Sequence, residues 1–159
     1  METQVSEMLS DARHLFGDRG MTQACLTETA APSLIEAAYH EARRHQWIES
    51  QKQHCDLGDN AFRDWYRRYW WSFLRHRHIE HLMGECHWRE FDRASYGRLH
   101  GLLDSFGKLA EDVIEQYRVG RENLDIVNWA LDYGWDMDDL HECLVQINMN
   151  DARIQPDFA

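Results

Sequence analysis

The sequence predicts an all-α protein: a helical bundle around one long central helix, with a short pair of helices at the C-terminus. Three observations carry that prediction. Pro32 and Pro156 are the only prolines in 159 residues, so long stretches lack the residue that most disrupts helices. Apolar side chains recur at steps of three and four in successive segments, the period of one helix face. The breaks between those segments carry glycine or a capping side chain where a helix should stop or start.

Residues 1–32 are expected to form an N-terminal appendage and residues 33–159 the helical domain. In the appendage, Val5, Met8, Leu9, Ala12, Leu15 and Phe16 mark a short amphipathic helix over residues 4–16, stopped at Gly17. Residues 17–32 lack periodicity and read as a linker. Docking of the short helix on its own bundle is expected, because a helix of that length is marginal alone in water. Ser33 followed by Glu36 is a capping-box pair. The helix it starts should run from Leu34 to Gln53, with Ile35, Ala38, Tyr39, Ala42, Gln46 and Ile48 or Trp47 facing inward.

The segment from Cys55 to Gly58 breaks that helix, and Asp59 can cap the next. Residues 59–92 are read as the single central helix, since they contain no proline and only one glycine, Gly84. Phe62, Trp65, Tyr66, Tyr69, Trp70, Phe73 and Leu74 form its buried band, continued by Leu82, Met83, Cys86 and Phe91. Trp71 and Trp88 lie off that band, so one of them should reach a surface. After a turn at Asp92–Ser95, Leu99, Leu102, Leu103, Phe106, Leu109, Val113 and Tyr117 predict one helix up to about Val119, despite Gly97, Gly101 and Gly107. Gly97 and Gly101, four apart, would admit a close neighbour. Asn123 can cap Leu124–Tyr133, and Asp136 with Asp139 can cap a last helix reaching Asn148. The tail from Asn150 onward reads as irregular.

Composition narrows the function. A chain of this length can bury enough surface to fold as one domain without a disulfide or metal. The formal net charge of −11 argues against a general nucleic-acid or anionic-membrane partner. The charge is uneven, however. Asn60 to His78 holds five arginines against one acid, and Asp104 to the end holds thirteen acids against four basic residues. Cys25, Cys55, Cys86 and Cys143 are widely spaced without a C-x-x-C pair, so neither a zinc knuckle nor a haem attachment is written. No stretch has the length or flanks of a signal peptide or membrane span, and a cytoplasmic protein with reduced thiols is expected.

Two constellations could carry chemistry. His78, His81 and Glu85 share one face of a continuous helix. With Glu36 and His40 from the preceding helix they could hold zinc, iron or manganese. The complete metal motifs are absent. No Glu-x-x-His recurs on two helices, H-E-x-x-H is missing, and Arg77 stands where H-x-x-E-H needs its first histidine. The second constellation is the run of Arg63, Arg67, Arg68 and Arg75 among aromatic residues, with Trp71. Arginine and tryptophan there suit a protein interface, and they also suit stacking on single-stranded nucleic acid. No nucleophile–base pair or phosphate loop is present, so an enzyme is not expected. The expectation from the sequence is an adaptor that binds a protein partner or itself through Arg63, Arg67, Arg68, Trp71 and Arg75. A metal-binding bundle and a single-stranded nucleic-acid binder are the alternatives.

Overall fold

The computed structural model describes residues 31–156; the amphipathic segment at 4–16, most of the linker, Cys25 and the last three residues lie outside them. Among the described residues all regular structure is helical. Helix α1 spans Leu34–Gln53, α2 Gly58–Met83, α3 Leu99–Phe106, α4 Lys108–Arg118, α5 Asn123–Tyr133 and α6 Met137–Ile147, with 3-10 turns at Arg93–Ser95 and Met149–Ala152.

Helix α1 has the expected bounds but a different rotation. Leu34, Ala38 and Ala42 are its fully buried residues, while Ile35, Tyr39 and Trp47 are exposed. The reason lies across the interface. Helix α2 brings Trp65, Tyr66 and Trp70 into the core, and alanines at a four-residue step leave room for rings of that size. Volume complementarity therefore outweighs the hydrophobicity of the larger α1 side chains. At the edge of the contact Tyr39 meets Phe62 edge-on at 5.5 Å, and Arg43 lies over both rings.

Helix α2 is shorter than residues 59–92. It starts at Gly58, before Asp59, and no side chain caps it. It ends at Met83 because Gly84 takes the left-handed conformation, φ +76°. The Gly84 N–H donates to the His81 carbonyl and the Glu85 N–H to the Glu80 carbonyl, at 3.1 and 3.0 Å. This is the paired bonding of a Schellman ending, which satisfies carbonyls that a helix end leaves open. The expected 99–119 helix is likewise two helices. Gly107 adopts φ +50° with ψ −123°, a conformation that ends α3 and starts α4 at a new angle. Gly101, by contrast, has open space where a Cβ would stand, so it marks no close approach; Gly97 does, against the Gly84 backbone.

The last two helices follow the sequence closely. Asp136 accepts from the Asp138 and Asp139 N–H groups and caps α6, and Asn148 ends it in the left-handed region. At α5 the capping residue is Glu122, whose N–H donates to the Asp125 carboxylate at 3.1 Å. Asn123, the expected cap, accepts instead from the buried Tyr117 hydroxyl at 2.7 Å. Leu102, Val113, Tyr117, Ile126, Leu140 and Ile147 carry the core through the second half of the chain.

Two glycines give opposite predictions. Gly84→Ala should lower stability by about 1–2 kcal/mol, the cost of a left-handed L-residue. Gly101→Ala should raise it by about 0.5–1 kcal/mol, because α3 gains propensity in open space. Urea-unfolding midpoints of the two variants measure both; equal shifts would contradict the placement of Gly84.

Candidate functional site

The two candidate constellations have separate fates in the structure. His78 and His81 are buried on the inner face of α2, and each has structural work. The His78 Nε2 donates to the Ile147 carbonyl at 3.0 Å, which closes the C-terminal end of α6. The His81 ring is bonded at both nitrogens. Its Nδ1 accepts from the Trp88 N–H at 3.2 Å, so the proton lies on Nε2, which donates to the Asp92 carbonyl at 3.0 Å. The His81 carbonyl also accepts from both the Gly84 and the Gly97 N–H. One residue thus closes the loop of residues 84–97 from its base and its interior. Phe91 packs edge-on against both histidine rings, at 4.9 and 5.4 Å.

That loop also reaches α1. Glu90 accepts from the Ser33 hydroxyl at 2.6 Å and the Leu34 N–H at 2.8 Å, and the Arg89 N–H donates to the Pro32 carbonyl. Ser33 makes its expected contact with the Glu36 N–H at 3.4 Å, but the carboxylate at this helix start comes from Glu90. Nothing local in the sequence signals a partner 57 positions away.

The structure does not bring His78, His81, Glu85, Glu36 and His40 together. The helix ends before Glu85, which is exposed on the loop. Glu36 and His40 are exposed on α1, and Glu36 faces Arg89 at 3.9 Å. His81 has no lone pair left for an ion. Among the described residues, no three His, Cys, Asp or Glu side chains are arranged to hold a metal. Helical spacing suggested a shared face only while the helix was taken to continue. Glu80, one turn before the end of α2, is likewise engaged: it pairs with Arg77 and accepts from the Trp88 indole N–H at 3.3 Å.

The arginine–tryptophan constellation stays together. Arg63, Arg67, Arg68 and Trp71 are all exposed on the outward face of α2. At 100° per residue, positions 63, 67 and 71 form one row and 64 and 68 the row beside it. Arg68 pairs with Asp64 at 3.0 Å. Arg63 and Arg67 make no ion pair among the described residues. Trp71 is 43% exposed, whereas Trp88 is buried, which settles the expected difference between them.

Arg75 departs from the expected role. Its side chain is only 12% exposed, and it donates to the Glu122 carboxylate at 2.6 Å. Arg153 takes the other oxygen of the same carboxylate at 2.8 Å. These three residues and Trp71 border a concavity of about 270 Å³ at the lower end of the arginine row. Glu122 and Arg153 carried no signal in the sequence, since 47 and 82 positions separate them from Glu122's partner Arg75 and from Trp71.

Compared with protein-family models, curated proteins and solved structures, the chain matches none.

The buried histidines set a pH dependence. Burial, opposed by the bond to Ile147, holds the His78 imidazole below its usual range. Burial does the same to His81 against its Asp92 bond, and burial with the charge of Arg77 does so to His76. The unfolded chain therefore binds more protons than the fold below about pH 6.5. Stability present above that pH should fall as the pH drops toward 5. Burial would raise the Glu90 carboxyl, but its hydrogen bonds from Ser33 and Leu34 outweigh that and hold it lower, so its own loss comes only at more acid pH. Urea midpoints between pH 7 and 5 test the histidine contribution alone; a flat profile would contradict it. Glu122→Gln should cost about 1–2 kcal/mol by leaving the largely covered Arg75 uncompensated, read as a lowered midpoint at pH 7.

Proposed function

We propose that this protein is an accessory or adaptor protein of the cytoplasm. It acts by binding a protein, a second copy of itself included, through the outer face of α2. The observation that carries this reading is the row of Arg63, Arg67 and Trp71, exposed together and without an acidic neighbour taking the two arginines. Tryptophan and arginine dominate the binding energy of protein interfaces. The helix beneath them is anchored by a buried aromatic inner face, so little order is lost on binding. The described cysteines, Cys55, Cys86 and Cys143, are free thiols. Among the described residues no helix is long and apolar enough to cross a membrane. The same proposal takes α2 as the packing centre of a bundle, since α1, α3, α4 and the second 3-10 turn all touch it.

A photo-crosslinking residue placed at position 71, with position 111 on α4 as an exposed control, tests the surface directly. Protein adducts should concentrate at position 71. Trp71→Ala should weaken the captured complex by about 2 kcal/mol, roughly thirtyfold, with unchanged circular dichroism. Adducts no more frequent at 71 than at 111 would remove the reading.

A further inference from the structure

The outer face of α5 is the counterpart of the α2 face. Leu124 and Leu131 are 71% and 57% exposed, one row along that helix. Asp125 and Asp132 form the adjacent row, with Asn128 between, and all three are exposed. The surrounding segment is uniformly acidic: seven acids and no lysine or arginine lie between Glu122 and Asn150. On α2 the pattern is inverted, with basic side chains beside one apolar anchor. The lengths agree as well. Arg63 to Trp71 rises about 12 Å and Leu124 to Leu131 about 10 Å, at 1.5 Å per residue.

We propose that the chain associates with itself head to tail, the α2 face of one copy seated on the α5 face of the next. Trp71 would lie against Leu124 at one end of the contact, with Arg63 opposite Asp132 beside Leu131 at the other and Arg67 toward Asp125. The occupant is a second copy because both complementary halves are on the same chain. A two-fold symmetric pairing of either face with itself would set arginine against arginine or aspartate against aspartate, which opposes association. The contact of an α2 face with an α5 face matches charge with charge, and in the head-to-tail form it is made once per pair. It leaves one α2 face and one α5 face open at the ends of each pair, so the product is a ring or a chain of copies. This inference rests on the α2 face being a protein-binding surface; the α5 face is its added element.

Complementation of two variants in sedimentation velocity tests it. One variant carries Arg63→Glu and Arg67→Glu, the other Leu131→Lys and Asp132→Lys; all four positions are exposed, and thermal melts check that each variant folds. The wild-type chain should gain mass with concentration and lose it with added salt. Each variant alone should sediment as a monomer of about the 19.0 kDa chain mass. Their equimolar mixture should form a one-to-one dimer and nothing larger, since each retains one intact face. A mixture that stays monomeric, or a variant that still associates with itself, overturns the head-to-tail contact. A wild-type chain monomeric throughout, while position 71 still crosslinks to a different protein, overturns self-association and leaves the α2 reading standing. Association abolished by the α5 changes but untouched by the α2 changes overturns the α2 half of both readings.

Discussion

The neutral imidazole of His81 is the constraint on which this half of the structure depends. It offers one donor and one acceptor on opposite sides of a rigid ring, and the loop of residues 84–97 uses both. A charged ring would present a donor to the Trp88 N–H and bring an uncompensated charge into the core. A closed loop in turn presents Arg89 and Glu90 to the start of α1, where they bind Pro32, Ser33 and Leu34. The end of α2 and the beginning of α1 are thus joined through one side chain that neither segment contributes by local rules. The loop has the character of a compact Ω-loop, its ends held together at Gly84 and Gly97 and its interior filled by Trp88 and Phe91.

Helix α2 divides its chemistry between two faces. Inward, three ring N–H groups, of Trp70, His78 and His81, donate to the carbonyls of Ile154, Ile147 and Asp92. The Ile147 carbonyl lies at the end of α6 and the Asp92 carbonyl at a turn, where it also accepts from the Ser95 N–H and hydroxyl. The aromatic side chains therefore act as fillers and as caps for distant segments. Outward, the helix keeps its arginines. Arg75, at the boundary, is drawn into the Glu122–Arg153 pairing and gives up the role its position suggested. The result is a basic face backed by a stiff core and followed, later in the chain, by an acidic face with exposed leucines.

Much of the fold was legible in the sequence. The bounds of α1 and the Asp136 cap could both be read from spacing and residue type. The two long helices were overextended for one reason. Apolar periodicity persists through Gly84 and Gly107, and periodicity is insensitive to a backbone turn that glycine alone permits. At the candidate site, exposure of Arg63, Arg67, Arg68 and Trp71 followed from the aromatic stripe they lie beside. The grouping of His78, His81 and Glu85 did not hold, because it required a helix that had already ended.

By itself, the sequence determined that the chain is helical, where α1, α5 and α6 start and stop, and that basic and acidic charge lie in different segments. Those properties depend on hydrogen bonds and steric contacts a few residues apart, which residue order specifies directly. The tertiary structure alone decided which face of α1 is buried, that Glu90 serves the start of a helix 56 positions earlier, and that His78 and His81 are structural donors. Those outcomes depend on volume matching and on carbonyls brought close only by packing, for which no local spacing is a guide.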